Sequence, residues 1–218
     1  MSVSLEYERA AWDAGAVTVA GIDEVGRGAL AGPVSVGVVV LSRCEAWPDG
    51  LADSKELTRL QREKMCPALA DFGIARAVGH ASPGEIDEAG IVAALRLAAL
   101  RALASVGPVD HVLLDGKHNW LTVEPTLLDP DPVVTPPVTM IIKGDTLCAS
   151  IAAGSVLAKV ERDGLMRAAH VNHPAYGWEG NKGYGAAAHL DAIRSLGATE
   201  FHRRSWALPA VSMAPAPE

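Results

Sequence analysis

The sequence predicts an α/β domain built on a mixed β-sheet. Along its 218 residues, short apolar runs typical of buried strands alternate with longer segments that carry helical periodicity and capping signals. The first two runs, residues 17–22 and 34–41, are joined by a short glycine-rich connection, which favours an antiparallel pair. The remaining predicted strands span residues 74–81, 111–115 and 138–142. Helical segments separate these later strands, so the sheet is predicted to be mixed.

Capping residues mark the helices in the first half of the chain. Thr58 and Gln61 are spaced as a capping box, and the helix that they begin ends at Gly73. A second capping box starts at Ser82, with proline in the first helical position. An alanine- and leucine-rich helix over residues 86–106 follows it.

The second half contains two more predicted helices. Residues 120–137 hold too many prolines for regular structure and are predicted to be an excursion between strands. Residues 146–171 form a helix rich in Ala, Ser and Gly, a composition that favours close packing against the sheet. A loop over residues 177–185 leads to the last helix, residues 186–196.

The chain length favours a single domain with a short segment at each end. We predict an N-terminal segment, residues 1–16, that is loosely tethered up to about Glu8. The domain itself is predicted to span residues 17–206, and residues 207–218, which are rich in proline, to form a disordered tail.

Composition limits the class of protein and its location. Hydrophobic residues make up 49% of the chain, yet no apolar run is long enough to span a bilayer, and the first residues do not resemble a signal peptide. The scattered cysteines Cys44, Cys66 and Cys148 have no metal-binding spacing and favour reduced thiols in the cytoplasm. A net charge of −7 argues against nonspecific coating of nucleic acid.

Acidic side chains follow three of the predicted strands. Asp23 and Glu24 end the first strand, Asp115 ends another, and Asp145 follows the strand at residues 138–142. These acids are either solvated at the strand ends or gathered at one edge of the sheet, where their charges would require cations. Carboxylate oxygens without His or Cys favour Mg²⁺ or Mn²⁺, and two such ions about 3.5–4 Å apart are the usual arrangement for displacement at phosphorus.

Asp163 is a further candidate that we leave out of the acidic set. It lies 18 residues after Asp145, which corresponds to about 27 Å along a helix at 1.5 Å per residue. We therefore predict a structural role for Asp163, paired with Arg162 or Arg167.

The loop after the first strand contains Gly26, Arg27 and Gly28. With Ala31 these residues match a dinucleotide-binding fingerprint, but a β-branched run follows where that fingerprint needs a helix. A dinucleotide-binding oxidoreductase is therefore disfavoured. Backbone N–H groups and a guanidinium in such a turn can instead hold a phosphate or a ribose edge.

Several motifs occur in the order found in ribonuclease HII, the type 2 ribonuclease H, and the sequence resembles that family from about residue 17 to residue 206. They are Gly21-Ile22-Asp23-Glu24-Val25-Gly26-Arg27-Gly28, Asp53-Ser54-Lys55, Asp115-Gly116, Lys143-Gly144-Asp145, Ser150-Ile151-Ala152-Ala153, Ala158-Lys159-Val160, Asn181-Lys182-Gly183-Tyr184-Gly185 and His202-Arg203-Arg204-Ser205. The resemblance implies a ribonuclease H-like fold, with helices flanking the mixed sheet and a small helical C-terminal part.

The resemblance also implies an activity. It is endonucleolytic cleavage, dependent on two Mg²⁺ or Mn²⁺ ions, of the RNA strand of RNA–DNA hybrids and on the 5′ side of ribonucleotides embedded in duplex DNA. The implied role is removal of misincorporated ribonucleotides and RNA primers, by a monomer with no membrane partner.

Site residues follow from the matched motifs. The implied catalytic metal ligands are Asp23, Glu24, Asp115 and Asp145. Gly26-Arg27-Gly28 would sense the ribose 2′-OH, which distinguishes RNA from DNA, with Tyr184 against the neighbouring sugar. The phosphate contacts are predicted to be Lys55, Lys143 and Lys182.

The sequence departs from the family pattern at two places. Gly154 stands where alanine is expected, and the proline-rich segment between Asp115 and Asp145 is long, so that it would affect substrate access. Two alternatives to the hybrid-cleaving nuclease remain: a nucleic-acid-binding module without catalysis, and a ribonuclease H-like enzyme that acts on other structures.

Overall fold

One five-stranded mixed sheet forms the centre of the computed structural model, which describes residues 3–125 and 133–211. Its strands are β1 Thr18–Val25, β2 Val34–Ser42, β3 Ala75–Ala81, β4 His111–Asp115 and β5 Val138–Ile141. They lie in the order β3-β2-β1-β4-β5. The pairs β1–β2 and β2–β3 are antiparallel, whereas β4 runs parallel to both β1 and β5. The predicted mixed sheet and its antiparallel first pair are confirmed.

Helices cover both faces of this sheet. They are α1 Glu6–Asp13, α2 Arg59–Asp71, α3 Pro83–Ala89, α4 Ile91–Val106, α5 Gly144–Leu147, α6 Ala149–Asn172, α7 Trp178–Asn181 and α8 Ala187–Leu196, with a 3-10 turn at Pro174–Tyr176. The capping boxes at Thr58 and Ser82 are both present. No helix within the described residues is long and apolar enough to cross a membrane.

Two predicted helices are interrupted. Gly90, with φ of 80°, separates α3 from α4 where one helix was predicted. Cys148 has extended backbone angles and separates α5 from α6, so the helix predicted over residues 146–171 is two helices. The short helix α5 matters for function because it contains Asp145.

Close backbone contacts set the separation between helices and sheet. An added Cβ on Gly154 of α6 would lie 2.9 Å from the carbonyl oxygen of Gly37 in β2. On the opposite face, a Cβ on Gly79 of β3 would collide with the carbonyl oxygen of Ala98 in α4. The glycine at position 154 therefore follows from packing, because alanine would push α6 away from the sheet.

The N-terminal segment is packed, in contrast to the predicted loose tether up to Glu8. Val3 and Leu5 are buried in the core beside α6. Glu8 is fully buried in α1, and its Oε1 accepts hydrogen bonds from the Ser150 backbone N–H at 2.8 Å and the Ser150 hydroxyl at 2.6 Å. The sequence prediction was wrong because α1 is held by a residue far along the chain.

The small helical C-terminal part is confirmed. It has its own apolar cluster, in which Tyr176, Trp178 and Ile193 pack against Ala31 and Met166.

Two predicted irregular segments are described only in part. Residues 120–125 and 133–137 of the proline-rich segment form no helix or strand, and residues 126–132 lie outside the described residues. Leu208, predicted to belong to a disordered tail, packs against the C-terminal cluster. Residues 212–218 of that tail also lie outside the described part of the chain.

Candidate active site

The predicted acids lie at one edge of the sheet. Asp23 and Glu24 are near the end of β1, Asp115 is the last residue of β4, and Asp145 lies in α5 just after β5. Because β1, β4 and β5 are parallel, their carboxyl ends meet at the same edge. The Gly144 N–H donates to Asp115 Oδ1 at 2.7 Å and links α5 to β4.

Burial and mutual repulsion disfavour the ionised forms of Asp23, Glu24 and Asp115. Asp23 and Asp145 are each 5% exposed. Burial raises the pKa of Asp23 to about 8, and the neighbouring charges of Asp115, Glu24 and Asp145 contribute to the rise. Burial also raises the pKa of Glu24 and of Asp115. A cluster of this kind is stabilised by any cation that enters it.

The donor set fits a hard divalent cation. In the part of the chain that the structure describes, no three His, Cys, Asp or Glu side chains are grouped as a ready-made metal site. The four clustered acids nevertheless offer only carboxylate oxygens, the ligands that Mg²⁺ and Mn²⁺ prefer. Burial, together with the neighbouring carboxylates, raises the pKa values of Asp23, Glu24 and Asp115, so a cation bound among them would favour their ionised forms.

One lysine reaches into this cluster. Lys55 Nζ lies 2.7 Å from Asp145 Oδ2 and 3.6 Å from Asp53 Oδ1. Burial lowers the pKa of Lys55, but the hydrogen bond and charge of Asp145 outweigh it and raise that pKa above its ordinary value. Asp53 also accepts a hydrogen bond from the Lys55 backbone N–H at 2.9 Å, which orients the lysine. In this structure Lys55 contacts a carboxylate, and its predicted phosphate contact stays a prediction.

A cavity of about 310 Å³ opens above the acids Glu24 and Asp115. Its other lining residues are Arg27, Gly116, Lys117, His118 and Trp120. Sequence reasoning missed Lys117 and His118 as residues at the site. Their position directly after the Asp115-Gly116 motif was the available signal.

The Gly26-Arg27-Gly28 loop follows β1 and borders the acids. Arg27 Nη1 lies 3.3 Å from Glu24 Oε1. Gly26 has φ of 82°, and a Cβ there would collide with the guanidinium of Arg162, so this position requires glycine for two reasons. Gly28 has a negative φ, and beyond its chain neighbours no described atom lies within 4 Å of where its Cβ would be. The face of Gly28 is therefore open.

Tyr184 lies next to this loop. The Leu30 N–H donates to the carbonyl oxygen of Gly183 at 2.8 Å, which brings the two segments together. The Tyr184 ring is partly exposed and is 5.6 Å from the guanidinium carbon of Arg162. The buried Arg162 thus contacts both the loop and Tyr184.

The other two predicted phosphate contacts do not touch the acids. Lys143 and Lys182 are the two non-glycine residues with positive φ within the described ranges, at 59° and 52°. Lys143 is exposed two residues before Asp145, and the Lys182 Nζ donates to the carbonyl of Glu179. Strained backbone of this kind is often found at functional sites, which supports keeping both lysines as candidates.

Asp163 has different partners from those predicted. Its carboxylate lies 2.8 Å from Lys159 Nζ and 4.0 Å from an Arg62 nitrogen. Arg162 donates instead to backbone carbonyls, and Arg167 lies 3.6 Å from Glu63. The predicted pairing was wrong because Arg162 is directed toward the loop after β1, which the sequence does not reveal.

Comparison with known proteins agrees with this arrangement. Residues 20–208 match the family model of ribonuclease HII. The chain is a member of the ribonuclease HII family. It is therefore a ribonuclease H, a divalent-metal-dependent endonuclease that hydrolyses RNA in RNA–DNA hybrids.

Individual relatives extend over most of the chain. Ribonuclease HII of Streptomyces avermitilis is 45% identical over 195 residues, covering 88% of this chain and 78% of its own. The crystal structure of ribonuclease H2 from Pyrococcus horikoshii superposes with a TM-score of 0.66 at 26% identity, over 87% of this chain and 94% of that one. Bst-RNase HIII in complex with Mn²⁺ has the same fold, with a TM-score of 0.65 at 18% identity over 91% of this chain and 70% of its own. These matches confirm the ribonuclease H-like fold.

Proposed function

We propose that this ribonuclease cleaves on the 5′ side of ribonucleotides embedded in duplex DNA, as well as within longer hybrids, by phosphodiester hydrolysis at a two-ion site. The supporting observation is that four carboxylates lie at one edge of the sheet, beside a loop with exposed backbone donors. Such an enzyme would remove misincorporated ribonucleotides and RNA primers. We further propose that it acts as a cytoplasmic monomer without a membrane partner, with residues 17–206 as the catalytic unit.

Four side chains would hold the metal ions. They are Asp23, Glu24, Asp115 and Asp145. Mg²⁺ or Mn²⁺ bound there would activate water and stabilise the charge that develops at phosphorus. The buried Asp23, with its raised pKa, would lose its proton as the metal binds. Lys55 would then be released from Asp145 and become available to a substrate phosphate.

Recognition of the ribonucleotide is assigned to the loop and Tyr184. The exposed residues Arg27 and Gly28 offer backbone N–H donors, and the open face of Gly28 allows close approach of a sugar edge. Tyr184 would lie against the neighbouring sugar. The 2′-OH is the group that a protein uses to tell RNA from DNA. The phosphate contacts on either side are assigned to Lys55, Lys143 and Lys182.

Cleavage of an end-labelled DNA duplex with one ribonucleotide tests the reaction. With Mg²⁺ or Mn²⁺ we expect a single cut on the 5′ side of the ribonucleotide, no cut with EDTA, and an intact all-DNA control. Asp145→Asn should abolish cleavage while the protein stays folded. The matched control Asp191→Asn changes an exposed acid of α8 and should cleave normally. A folded protein that binds the duplex but cleaves with neither metal would instead be the noncatalytic binding module.

Gly28→Ala tests the recognition separately from the chemistry. Since the Cβ has room, we expect unchanged thermal stability but a KM for the one-ribonucleotide duplex at least about tenfold higher, because the methyl group blocks the sugar. Gly180→Ala, which also has room for a Cβ, is the control and should leave KM unchanged. A wild-type KM in Gly28→Ala would remove Gly28 from the recognition surface.

A further inference from the structure

Two arginines are buried beneath the Gly26-Arg27-Gly28 loop. Arg162 and Arg203 are both fully buried, and within the described ranges neither lies within 4.0 Å of a carboxylate. Burial lowers the pKa of Arg203 to about 10, with a further contribution from the charge of Arg162. A buried cation without a carboxylate is costly, so its hydrogen bonds must be well made.

The guanidinium of Arg203 donates hydrogen bonds to backbone carbonyls of the loop after β1. Its Nη2 donates to the Gly26 carbonyl at 2.6 Å, and its Nη1 donates to the Arg27 carbonyl at 2.8 Å. The Nε and Nη2 groups also donate to the Gly32 carbonyl, at 3.2 Å and 3.1 Å. One planar group therefore fixes both ends of the connection between β1 and β2, at Gly26 and at Gly32.

These bonds fix the direction of the opposite backbone groups. In a trans peptide the C=O of one residue and the N–H of the next point in opposite directions. With the carbonyls of Gly26 and Arg27 held on Arg203, the N–H groups of Arg27 and Gly28 point away from the guanidinium. Both residues are exposed, and these N–H groups have no acceptor among the described residues.

The segment that carries Arg203 is itself well anchored. The Arg203 backbone N–H donates to the Leu30 carbonyl at 2.9 Å. The backbone N–H groups of Arg204 and Ser205 donate to Asp87 at 2.8 Å and 2.9 Å. The guanidinium also lies 5.0 Å from the ring of Trp206. The side chain is held rigidly from behind the loop, as a positioning residue must be.

We propose that Arg203 is a positioning residue for ribonucleotide recognition: it holds the Arg27 and Gly28 N–H groups in the direction that a ribose 2′-OH requires. It acts through the loop and does not touch the substrate. The inference rests on the proposed function, and it gives Arg203 of the His202-Arg203-Arg204-Ser205 motif a role in specificity. Arg162 supports the same loop through the carbonyls of Ala31 and Pro33.

The test is a ratio of affinities. In the noncleaving Asp145→Asn background with Mn²⁺, the Kd of an all-DNA duplex is divided by that of the same duplex with one ribonucleotide. Arg203→Lys keeps the charge but not the fork of donors, and we expect the ratio to fall by about tenfold, the scale of losing one or two neutral hydrogen bonds. Arg204→Lys, an exposed neighbour, is the matched control and should keep the ratio.

A general loss of structure would weaken both affinities together, so the ratio separates positioning from folding. A folded Arg203→Lys with an unchanged ratio would overturn the positioning role. If Arg203→Lys does not fold, Trp206→Leu decides by the same ratio, because Trp206 is only partly buried and supports the guanidinium. A ratio of one in Asp145→Asn alone would overturn the proposed 2′-OH recognition, and this inference with it.

Discussion

Replacement of Glu8 should destabilise the whole catalytic domain, although this residue lies far in sequence from the site. Its Oε1 accepts both polar hydrogens of Ser150, at 2.8 Å and 2.6 Å, in a fully buried environment. Ser150 is in the first turn of α6, and no side chain from the N-cap residue Cys148 caps that helix. Glu8 therefore acts as the helix cap from a distance.

The expected loss in the free energy of unfolding follows from these two hydrogen bonds. Glu8→Ala leaves the Ser150 N–H and hydroxyl without their partner inside the core, and each buried unsatisfied group costs about 1–3 kcal/mol. The hydroxyl can rotate toward another acceptor, so we expect a loss of about 2–4 kcal/mol in the free energy of unfolding. Glu8→Gln retains an acceptor oxygen and should lose less than about half of that.

Urea unfolding, followed by tryptophan fluorescence, measures these differences. Glu6→Ala is the matched control, because Glu6 is exposed in the same helix and should change stability by less than about 0.5 kcal/mol. A loss below about 0.5 kcal/mol in Glu8→Ala would contradict the capping role. So would equal losses in Glu8→Ala and Glu8→Gln.

The buried position of Glu8 also predicts that the effect of Glu8→Gln on stability depends on pH. Burial raises the pKa of Glu8 above its ordinary value of 4.5, so the folded protein binds this proton more tightly than the unfolded chain. The contribution of Glu8 to stability is therefore largest below pH 4.5 and falls as the pH rises through its folded pKa. Glutamine does not titrate, so the stability of Glu8→Gln relative to wild type should improve as the pH increases. A constant difference across this range would refute the reasoning.

Three further predictions concern other parts of the molecule. Gly154→Ala should lower the free energy of unfolding, because its Cβ meets the Gly37 carbonyl. Gly164→Ala in the same helix has room for a Cβ and should raise the free energy of unfolding by up to about 1 kcal/mol. Urea unfolding of both variants checks this. The pKa of Asp23, about 8, means that Mn²⁺ binding at pH 7 should release protons and strengthen toward pH 8, which calorimetry in two buffers would show or exclude. Burial lowers the pKa of His202 to about 4, so stability should fall as the pH drops from 6.5 toward 4, with a smaller slope in His202→Gln; equal slopes would contradict this.

Local signals accounted for most of the elements. Capping boxes, such as those at Thr58 and Ser82, and apolar strands depend only on residues that are close together in the sequence. They can therefore be recognised without tertiary information. The acids Asp23 and Asp115 were predictable for a related reason. A carboxylate at the end of an apolar strand stands out, and parallel strands bring such ends together.

Tertiary contacts between distant residues were not predictable. Nothing near Glu8 indicates that it will meet Ser150, 142 positions away, so α1 was misjudged as loosely tethered. For the same reason the predicted pairing of Asp163 with Arg162 or Arg167 was wrong. Gly154 was noted only as a departure from the family pattern, and its meaning emerged once Gly37 was found opposite it.

The glycine contacts on the two faces of the sheet have a consequence for protein engineering. Gly154 against Gly37 on one side, and Gly79 against Ala98 on the other, act as hard stops that fix the thickness of the three layers. Substitutions that add volume between the layers would move α6 or α4 bodily, since neither backbone can yield locally. A more thermostable version is better sought in exposed helix positions and charge pairs, which leave the spacing of the layers, and hence the edge that carries the acids, unchanged.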